Sequence, residues 1–210
     1  ITEPDLELIK NMVSSLELLK VNDYTLMDII SRSLLEQKHS AFFEIIKGEY
    51  EGEEDLKLIS EEDSKKLDPV KLIKVHLKID IECPDFKILF DLKSTKSVVK
   101  EEFARSAYQG DLPIQSKLYL DIISFIRGEE YDQFLYPAVE KVPPFLADMF
   151  YCDHEYLAYG ERMYKKRLIA LKRAIDAKEF KGHDINHLPN TTFTELGLPA
   201  YAYYNEKINF

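Results

Sequence analysis

The amino-acid sequence predicts a fold that contains both helices and strands, α/β or more narrowly α+β, in which a mixed β-sheet is flanked by helices. Apolar residues recur at helical spacing near the N-terminus, in residues 113–127 and again after residue 153. Residues 71–82 instead alternate between apolar and polar side chains, which is typical of a strand with one buried face. The elements run in the order helices, two strands, helices, two strands and a long helix, and this order indicates one sheet between helices.

The N-terminal region is predicted to be helical. Residues 5–20 carry apolar side chains at helical spacing and are expected to form an amphipathic helix. Thr25 followed by Asp28 is the pattern of a capping box and predicts the start of a second helix. The helical pattern continues to Ile46 and is expected to end at the glycine two residues later. The charged residues 49–68 show no apolar period and are predicted to form a loop.

Two adjacent strands are predicted to carry the polar residues of greatest interest. In the first strand, residues 71–82, the apolar face is formed by Ile73, Val75, Leu77, Ile79 and Ile81. Asp80 and Glu82 are therefore expected on the opposite, polar face. After a turn at Pro84, the apolar side chains of the next strand are Ile88, Phe90 and Leu92. This leaves Asp91 and Lys93 together on a polar face, where a hairpin would bring them close to Asp80.

The rest of the chain is predicted to supply further helices and strands. We expect helices at residues 97–109 and 113–127, strands at 132–140 and 145–152, and a long helix from Asp153 to about residue 178. From residue 182 the sequence is rich in Pro, Asn and Tyr and is predicted to be irregular.

Composition limits the class of protein. The chain of 210 residues is 45% hydrophobic, which favours one domain over residues 1–210. It has no long apolar run and no signal-peptide pattern, so a cytoplasmic protein without a membrane partner is expected. The two cysteines, Cys83 and Cys152, are too few for a four-cysteine zinc or iron–sulfur site.

The net charge of −10 is unevenly distributed. Residues 1–68, the predicted acidic and helical N-terminal part, hold 17 Asp and Glu against 8 Lys and Arg, so the rest of the chain is nearly neutral. The basic run in residues 161–173 fits either a solvated helix face or a surface that contacts phosphates. The overall acidity therefore does not exclude nucleic acid as a partner.

The polar residues of the two strands suit metal-dependent phosphodiester cleavage. Carboxylates such as Asp80 and Asp91 are the hard oxygen ligands that Mg²⁺ or Mn²⁺ prefers. Lys93 would orient the attacking water or stabilise the charged transition state, and the backbone carbonyl of Leu92 is a candidate further ligand. The alternative is a solvent-facing strand surface with ordinary charges.

These residues resemble the PD-(D/E)XK nuclease superfamily, and within it the RecE-type and related phage recombination exonucleases. Asp80 stands at the first aspartate of that family, and Asp91-Leu92-Lys93-Ser94-Thr95 at its Asp-x-Lys-Thr-Thr stretch. The resemblance continues through Phe103, Ala107 and Tyr108, through Gln115, Tyr119 and Asp121, and to Gly197, Leu198 and Pro199. Gln115 and Tyr119 are four residues apart, so one helix face would present both to the site.

The resemblance implies a restriction-endonuclease-like core and Mg²⁺-dependent hydrolysis of DNA, with Mn²⁺ able to substitute. It also implies a single-strand annealing protein as a partner in phage or prophage recombination, and a homo-oligomeric ring in several members. The alternatives are a structure-specific or restriction-type endonuclease on the same core, and an inactive relative that only binds nucleic acid.

The family also supplies a metal ligand from a helix that precedes the hairpin. His39 and Glu44 resemble its His-x4-Glu helix, so His39 is the first candidate, Glu44 the second and Glu36 the third. An ordinary helix histidine is the alternative for His39.

Overall fold

The structure is a computed structural model that describes residues 2–179. Its α-helices are α1 (Glu3–Leu16), α2 (Leu26–Ser31), α3 (Glu61–Ser64), α4 (Lys100–Gln109), α5 (Leu112–Arg127) and α6 (His154–Ala177). Its strands are β1 (Lys20–Val21), β2 (Tyr24–Thr25), β3 (Leu34–Lys47), β4 (Glu54–Ile59), β5 (Leu72–Cys83), β6 (Ile88–Phe90), β7 (Lys93–Thr95), β8 (Gln133–Glu140) and β9 (Ala147–Tyr151). Across these residues, no helix is both long and apolar enough to cross a membrane.

The chain divides into two compact units, Ile1–Lys172 and Arg173–Phe210. All elements except the last residues of α6 belong to the first unit. The irregular tail expected from residue 182, with Gly197, Leu198 and Pro199, lies outside the described residues. The expectation of one domain over residues 1–210 stays a prediction.

A mixed seven-stranded sheet forms the centre of the first unit, as the sequence predicts. Its strand order is β4-β3-β5-β6-β8-β7, with β9 paired to β8. The pairs β6–β8 and β7–β8 are parallel, and the other pairs are antiparallel. Helices α4, α5 and α6 contribute apolar side chains to one core cluster, and α2 contributes to another. The fold is therefore a mixed sheet flanked by helices.

Strands β6 and β7 are two halves of one interrupted strand along β8. Ile88 to Phe90 pair with residues 133–135, and Lys93 to Thr95 pair with residues 138–140, so both halves keep the same register. The interruption is at Asp91 and Leu92. Continuing the register places Pro137 opposite Leu92, and a proline has no N–H to donate to the ladder.

Strand β5 changes its buried face at Asp80. Ile79 packs in the core cluster that contains α5 residues such as Ile122, whereas Ile81 packs with Leu26 of α2 in the other cluster. The residue opposite Asp80 in the β3 register is Glu36, whose φ is 53°. The expectation that residues 73–81 share one apolar face is therefore wrong beyond Ile79, because the distorted backbone at this pair reverses the alternation.

Several predicted element boundaries are confirmed by their caps. Thr25 and Asp28 form the expected capping box at α2. Gly128 ends α5 with a φ of 66°, a left-handed conformation that glycine adopts without strain. The Asp153 side chain accepts a hydrogen bond of 2.8 Å from the Tyr156 amide at the start of α6.

The prediction that the helical pattern continues to Ile46 is wrong. Helix α2 ends at Ser31, and β3 then runs through the segment from Leu34 to Lys47, paired on one side with β4 and on the other with β5. Residues 49–68, predicted as a loop, contain β4 and α3. Ala41 and Phe43 are buried at a spacing of two, and sheet pairing on both sides outweighs the local helical pattern.

A buried carboxylate joins β5 to the end of α5. The Glu82 side chain is fully buried and accepts hydrogen bonds from Arg127 Nε at 2.7 Å and Arg127 Nη2 at 3.0 Å. Tyr131 donates to the same carboxylate at 3.3 Å. Burial and the charge of Glu82 raise the pKa of Tyr131 to about 12, so it stays a donor at neutral pH. These bonds compensate the loss of hydration of Glu82.

Substituting Arg127→Ala should lower the free energy of unfolding by about 3 kcal/mol, because the buried Glu82 carboxylate would lose the two hydrogen bonds and the positive charge that Arg127 supplies. Urea unfolding followed by circular dichroism measures this loss. The control is Lys87→Ala, which removes an exposed ion pair with Glu129 and should cost less than about 1 kcal/mol. Equal losses in the two variants would contradict a stabilising role for the buried pair.

Candidate functional site

Asp80 and Asp91 lie where β5 separates from its neighbour. Strand β5 pairs with β6 from Ile81 to Cys83, and the next pair in that register would be Asp80 with Asp91. Instead of a strand pair, the Asp80 carboxylate accepts a hydrogen bond of 3.1 Å from the backbone N–H of Leu92. The Asp91 amide remains bonded to Leu135 of β8 at 3.1 Å. The two carboxylates therefore lie at the point where the sheet opens.

Asp91 is a buried carboxylate with incomplete compensation. Its side chain is only 8% exposed. Its Oδ1 accepts a hydrogen bond of 3.0 Å from Gln115 Nε2, and its Oδ2 forms an ion pair with Lys93. Burial raises the pKa of Asp91 above its ordinary value and the charge of Asp80 adds to this, while Lys93 and Gln115 oppose it. Such a carboxylate is suited to gain a cation.

Helix α5 supplies the polar side chain that connects Asp91 with Lys93. The Lys93 ammonium lies 3.5 Å from Gln115 Oε1 and 5.9 Å from the centre of the Tyr136 ring. Tyr119 follows one turn later on α5, where burial raises its pKa and a hydrogen bond with Gln115 opposes that rise. The structure thus brings together Asp80, Asp91, Lys93, Gln115 and Tyr119, which the sequence predicted to share a site.

The three N-terminal ligand candidates lie on a strand and not on a helix. Glu44 pairs with Leu72 and Lys57, eight register positions from the Glu36–Asp80 pair, so the structure does not bring it to the site. The resemblance to a His-x4-Glu helix is therefore wrong for this segment, because β3 is held in the sheet from both sides.

His39 and Glu36 are closer to the separation point than Glu44 is. His39 Nε2 is buried, has no hydrogen-bond partner and lies 3.7 Å from Glu82 Oε2. Glu36 is opposite Asp80 in the register, and its carboxylate forms an ion pair with Lys78. Neither makes a contact with Asp80 or Asp91 that would identify it as the third ligand.

The donor atoms at Asp80 and Asp91 fit a hard divalent cation. Within residues 2–179, no three side chains of His, Cys, Asp and Glu are grouped closely enough to hold an ion by themselves. Mg²⁺ is commonly held by one or two carboxylates, with water and substrate phosphate as the other ligands. Two adjacent carboxylates, one of them buried and with a raised pKa, match that pattern. The Leu92 carbonyl remains a candidate further ligand.

Sequence reasoning missed the role of Glu82, and it left the basic run in residues 161–173 open between a solvated helix face and a surface that contacts phosphates. Glu82 was expected on the polar face of its strand, and only the change of face at Asp80 explains its burial. In the basic run, Lys165 forms ion pairs with Asp55 and Glu161, and Arg167 pairs with Asp111. Part of that positive charge is therefore neutralised within the protein.

The fold and the paired carboxylates with their lysine define a PD-(D/E)XK nuclease-like protein. The chain belongs to the family described as a PDDEXK-like domain of unknown function (DUF3799), whose model matches residues 34–183. No curated protein matches the sequence.

One similar solved structure is the crystal structure of a "putative exonuclease" from Eubacterium rectale, with a TM-score of 0.57 and 16% sequence identity. The similarity covers 91% of this chain and 64% of that protein, so the chain spans less than two thirds of its length. At this identity the likeness shows the shared fold alone.

Removing the Asp91 charge should abolish binding of a divalent ion. In the unsubstituted protein, Mn²⁺ at about one hundred times its dissociation constant should stabilise the fold by about 2.7 kcal/mol, and Asp91→Asn should lose this effect. Thermal unfolding with and without Mn²⁺ measures the difference. Glu44→Gln is the control, since it removes a carboxylate from the same sheet but away from the opening; an equal loss there would mean that the ion binds elsewhere.

Proposed function

We propose that the protein is a metal-dependent deoxyribonuclease that hydrolyses phosphodiester bonds at the opening between β5 and β7. The observation that carries this proposal is the buried Asp91 carboxylate, which lies beside Asp80 and keeps a raised pKa although it is paired with Lys93. An arrangement that raises the pKa of one carboxylate by burial and by a second carboxylate is costly without a cation. A catalytic metal site accounts for that cost.

Asp80 and Asp91 would hold the ion, with the Leu92 carbonyl as a further ligand. When bound, Mg²⁺ or Mn²⁺ would neutralise the phosphate, lower the pKa of a coordinated water and support the leaving oxygen. The hydrogen bond from Leu92 to Asp80 fixes one carboxylate, and the hydrogen bond from Gln115 fixes the other. Both carboxylates are therefore oriented before the substrate arrives.

Lys93 would act on the reacting phosphate and its attacking water. Its ammonium is already at the site, paired with Asp91 and close to the Gln115 amide oxygen. Once a divalent cation shares the charge of Asp91, Lys93 is free to donate to the phosphate or to the water, where negative charge develops in the transition state. Gln115 positions Asp91 and Lys93, and Tyr119 positions Gln115 through their hydrogen bond.

We further propose exonuclease action on DNA in phage or prophage recombination. Support comes from the resemblance of the sequence to RecE-type exonucleases and from the exonuclease description of the E. rectale protein. The proposal includes a cytoplasmic location, a single-strand annealing protein as partner and a homo-oligomeric ring. An endonuclease on the same core would use the same residues, so only the form of the substrate separates the two activities.

The substitution Lys93→Met should reduce cleavage about 100- to 1,000-fold while the protein still binds Mn²⁺, because the lost group stabilises charge without holding the ion. Cleavage of labelled duplex DNA and Mn²⁺-dependent thermal unfolding measure the two properties. The matched control is Lys74→Met, which changes an exposed lysine on β5 and should retain activity. Full activity of the Lys93 variant would contradict this catalytic role.

Linear duplex DNA should be degraded in the presence of Mg²⁺, whereas covalently closed circular duplex of the same sequence should remain intact. The physical reason is that an exonuclease engages a strand end before it cleaves. Gel electrophoresis over time shows both substrates. Linearisation of the circle would favour the endonuclease, and no cleavage of either substrate with Mg²⁺ or Mn²⁺ would favour a binding protein.

A further inference from the structure

A polar cavity of about 620 Å³ lies between β7 and α4, beside the candidate active site. It begins at Ser94, the residue that follows Lys93 on β7. The described chain provides β7 with a strand partner only on its β8 side, so its other edge is open. Two of its lining residues are joined by the backbone, since the Lys141 amide donates to the Thr95 carbonyl at 3.0 Å.

The side chains around this cavity are polar or charged. They are Ser94, Thr95, Lys96, Ser97, Glu102, Arg105, Ser106, Gln109 and Lys141. Hydroxyl, amide and cationic groups are donors for phosphate oxygens, whereas an apolar ligand would find no apolar side chain among these residues. The volume is also much larger than a single phosphate ion fills. A stretch of phosphodiester backbone is the ligand that fits both features.

The charge of the cavity is opposite to that of the protein. Lys96, Arg105 and Lys141 face it with Glu102 as the one carboxylate among its lining residues, although the chain carries a net charge of −10. All three cations are exposed, and none of them forms an ion pair with another residue in the range 2–179. By contrast, Lys165 and Arg167 of the basic run in α6 are bound to acidic residues. The lining of the cavity therefore carries three cations against one carboxylate, and none of the three is held in an ion pair by the described chain.

We infer that this cavity, which we name the β7–α4 groove, binds phosphates of the DNA strand next to the phosphate at Lys93. The inference rests on the proposed function and adds the contacts that would hold the substrate. Arg105 and Lys141 supply the main electrostatic attraction, and Ser94 and Ser106 supply neutral donors. Such contacts fix the register of the strand on the protein without reading its base sequence.

The test measures DNA binding without cleavage. In an Asp91→Asn background, a short labelled duplex is titrated by fluorescence anisotropy at several salt concentrations. Adding Arg105→Gln and Lys141→Gln should lower the slope of log K against log salt by about two, and should weaken binding near 0.1 M salt by about tenfold per contact. The control adds Lys47→Gln and Lys71→Gln instead. These two exposed lysines lie at the end of β3 and just before β5, away from the separation point, and their loss should change the slope by less than about half a unit.

Each outcome decides between the groove and the alternatives. An equal change of slope in both double variants, or none in the groove variant, would overturn the inference even if the protein cleaves DNA. Loss of slope in the groove variant alone supports it, even if no metal ion yields cleavage and the proposed nuclease activity fails. Calorimetry with inorganic phosphate is the second measurement: phosphate binding that needs Arg105, together with an unchanged DNA slope, would assign the groove to a free anion instead.

Discussion

The site depends on the point at which β5 separates from the interrupted strand that β6 and β7 form along β8. Strand β6 is held between β5 and β8, but the ladder is interrupted at Asp91 and Leu92, where Pro137 lies opposite Leu92, and β5 changes its buried face at Asp80. Two carboxylates that would be neighbours in a continuous ladder instead lie at an opening. The Leu92 N–H, free of the strand ladder, bonds the Asp80 side chain. The proposed metal-binding carboxylates are therefore placed by an interruption in an otherwise regular sheet.

Helix α5 maintains this opening because it is bound to the sheet near both ends. Near its start, Gln115 donates to Asp91, and at its end Arg127 forms two hydrogen bonds with Glu82. Between them, Leu120, Ile122 and Ile123 pack in the core against Ile79 and Leu89. A shift of the helix would disturb both polar contacts and the packing together. The Asp91 carboxylate is thus held by a helix that is itself fixed to the sheet, which is the preorganisation that the proposed catalytic role requires.

The charges close to the candidate site differ in sign from the net charge of the whole chain. Much of the negative charge lies in the first 68 residues, whereas the β7–α4 groove beside Lys93 presents cations that are free of ion pairs within the described part of the chain. Other basic residues, such as Lys165, Arg167 and Arg127, neutralise carboxylates of the same protein. Attraction for a polyanion depends on the charges that remain near the site, because salt screens the distant ones over about 10 Å.

The sequence by itself determined the elements whose signals are local. The capping box at Thr25, the glycine that ends α5 and the polar residues Asp80, Asp91 and Lys93 follow from short-range patterns, which need no partner strand. Only the tertiary structure decided that residues 34–47 form a strand, because pairing with β4 and β5 replaces their helical pattern. It also decided the burial of Glu82, the open edge of β7 and the groove at α4. These features depend on where β5 leaves its neighbour, and that separation is set by contacts between residues distant in sequence.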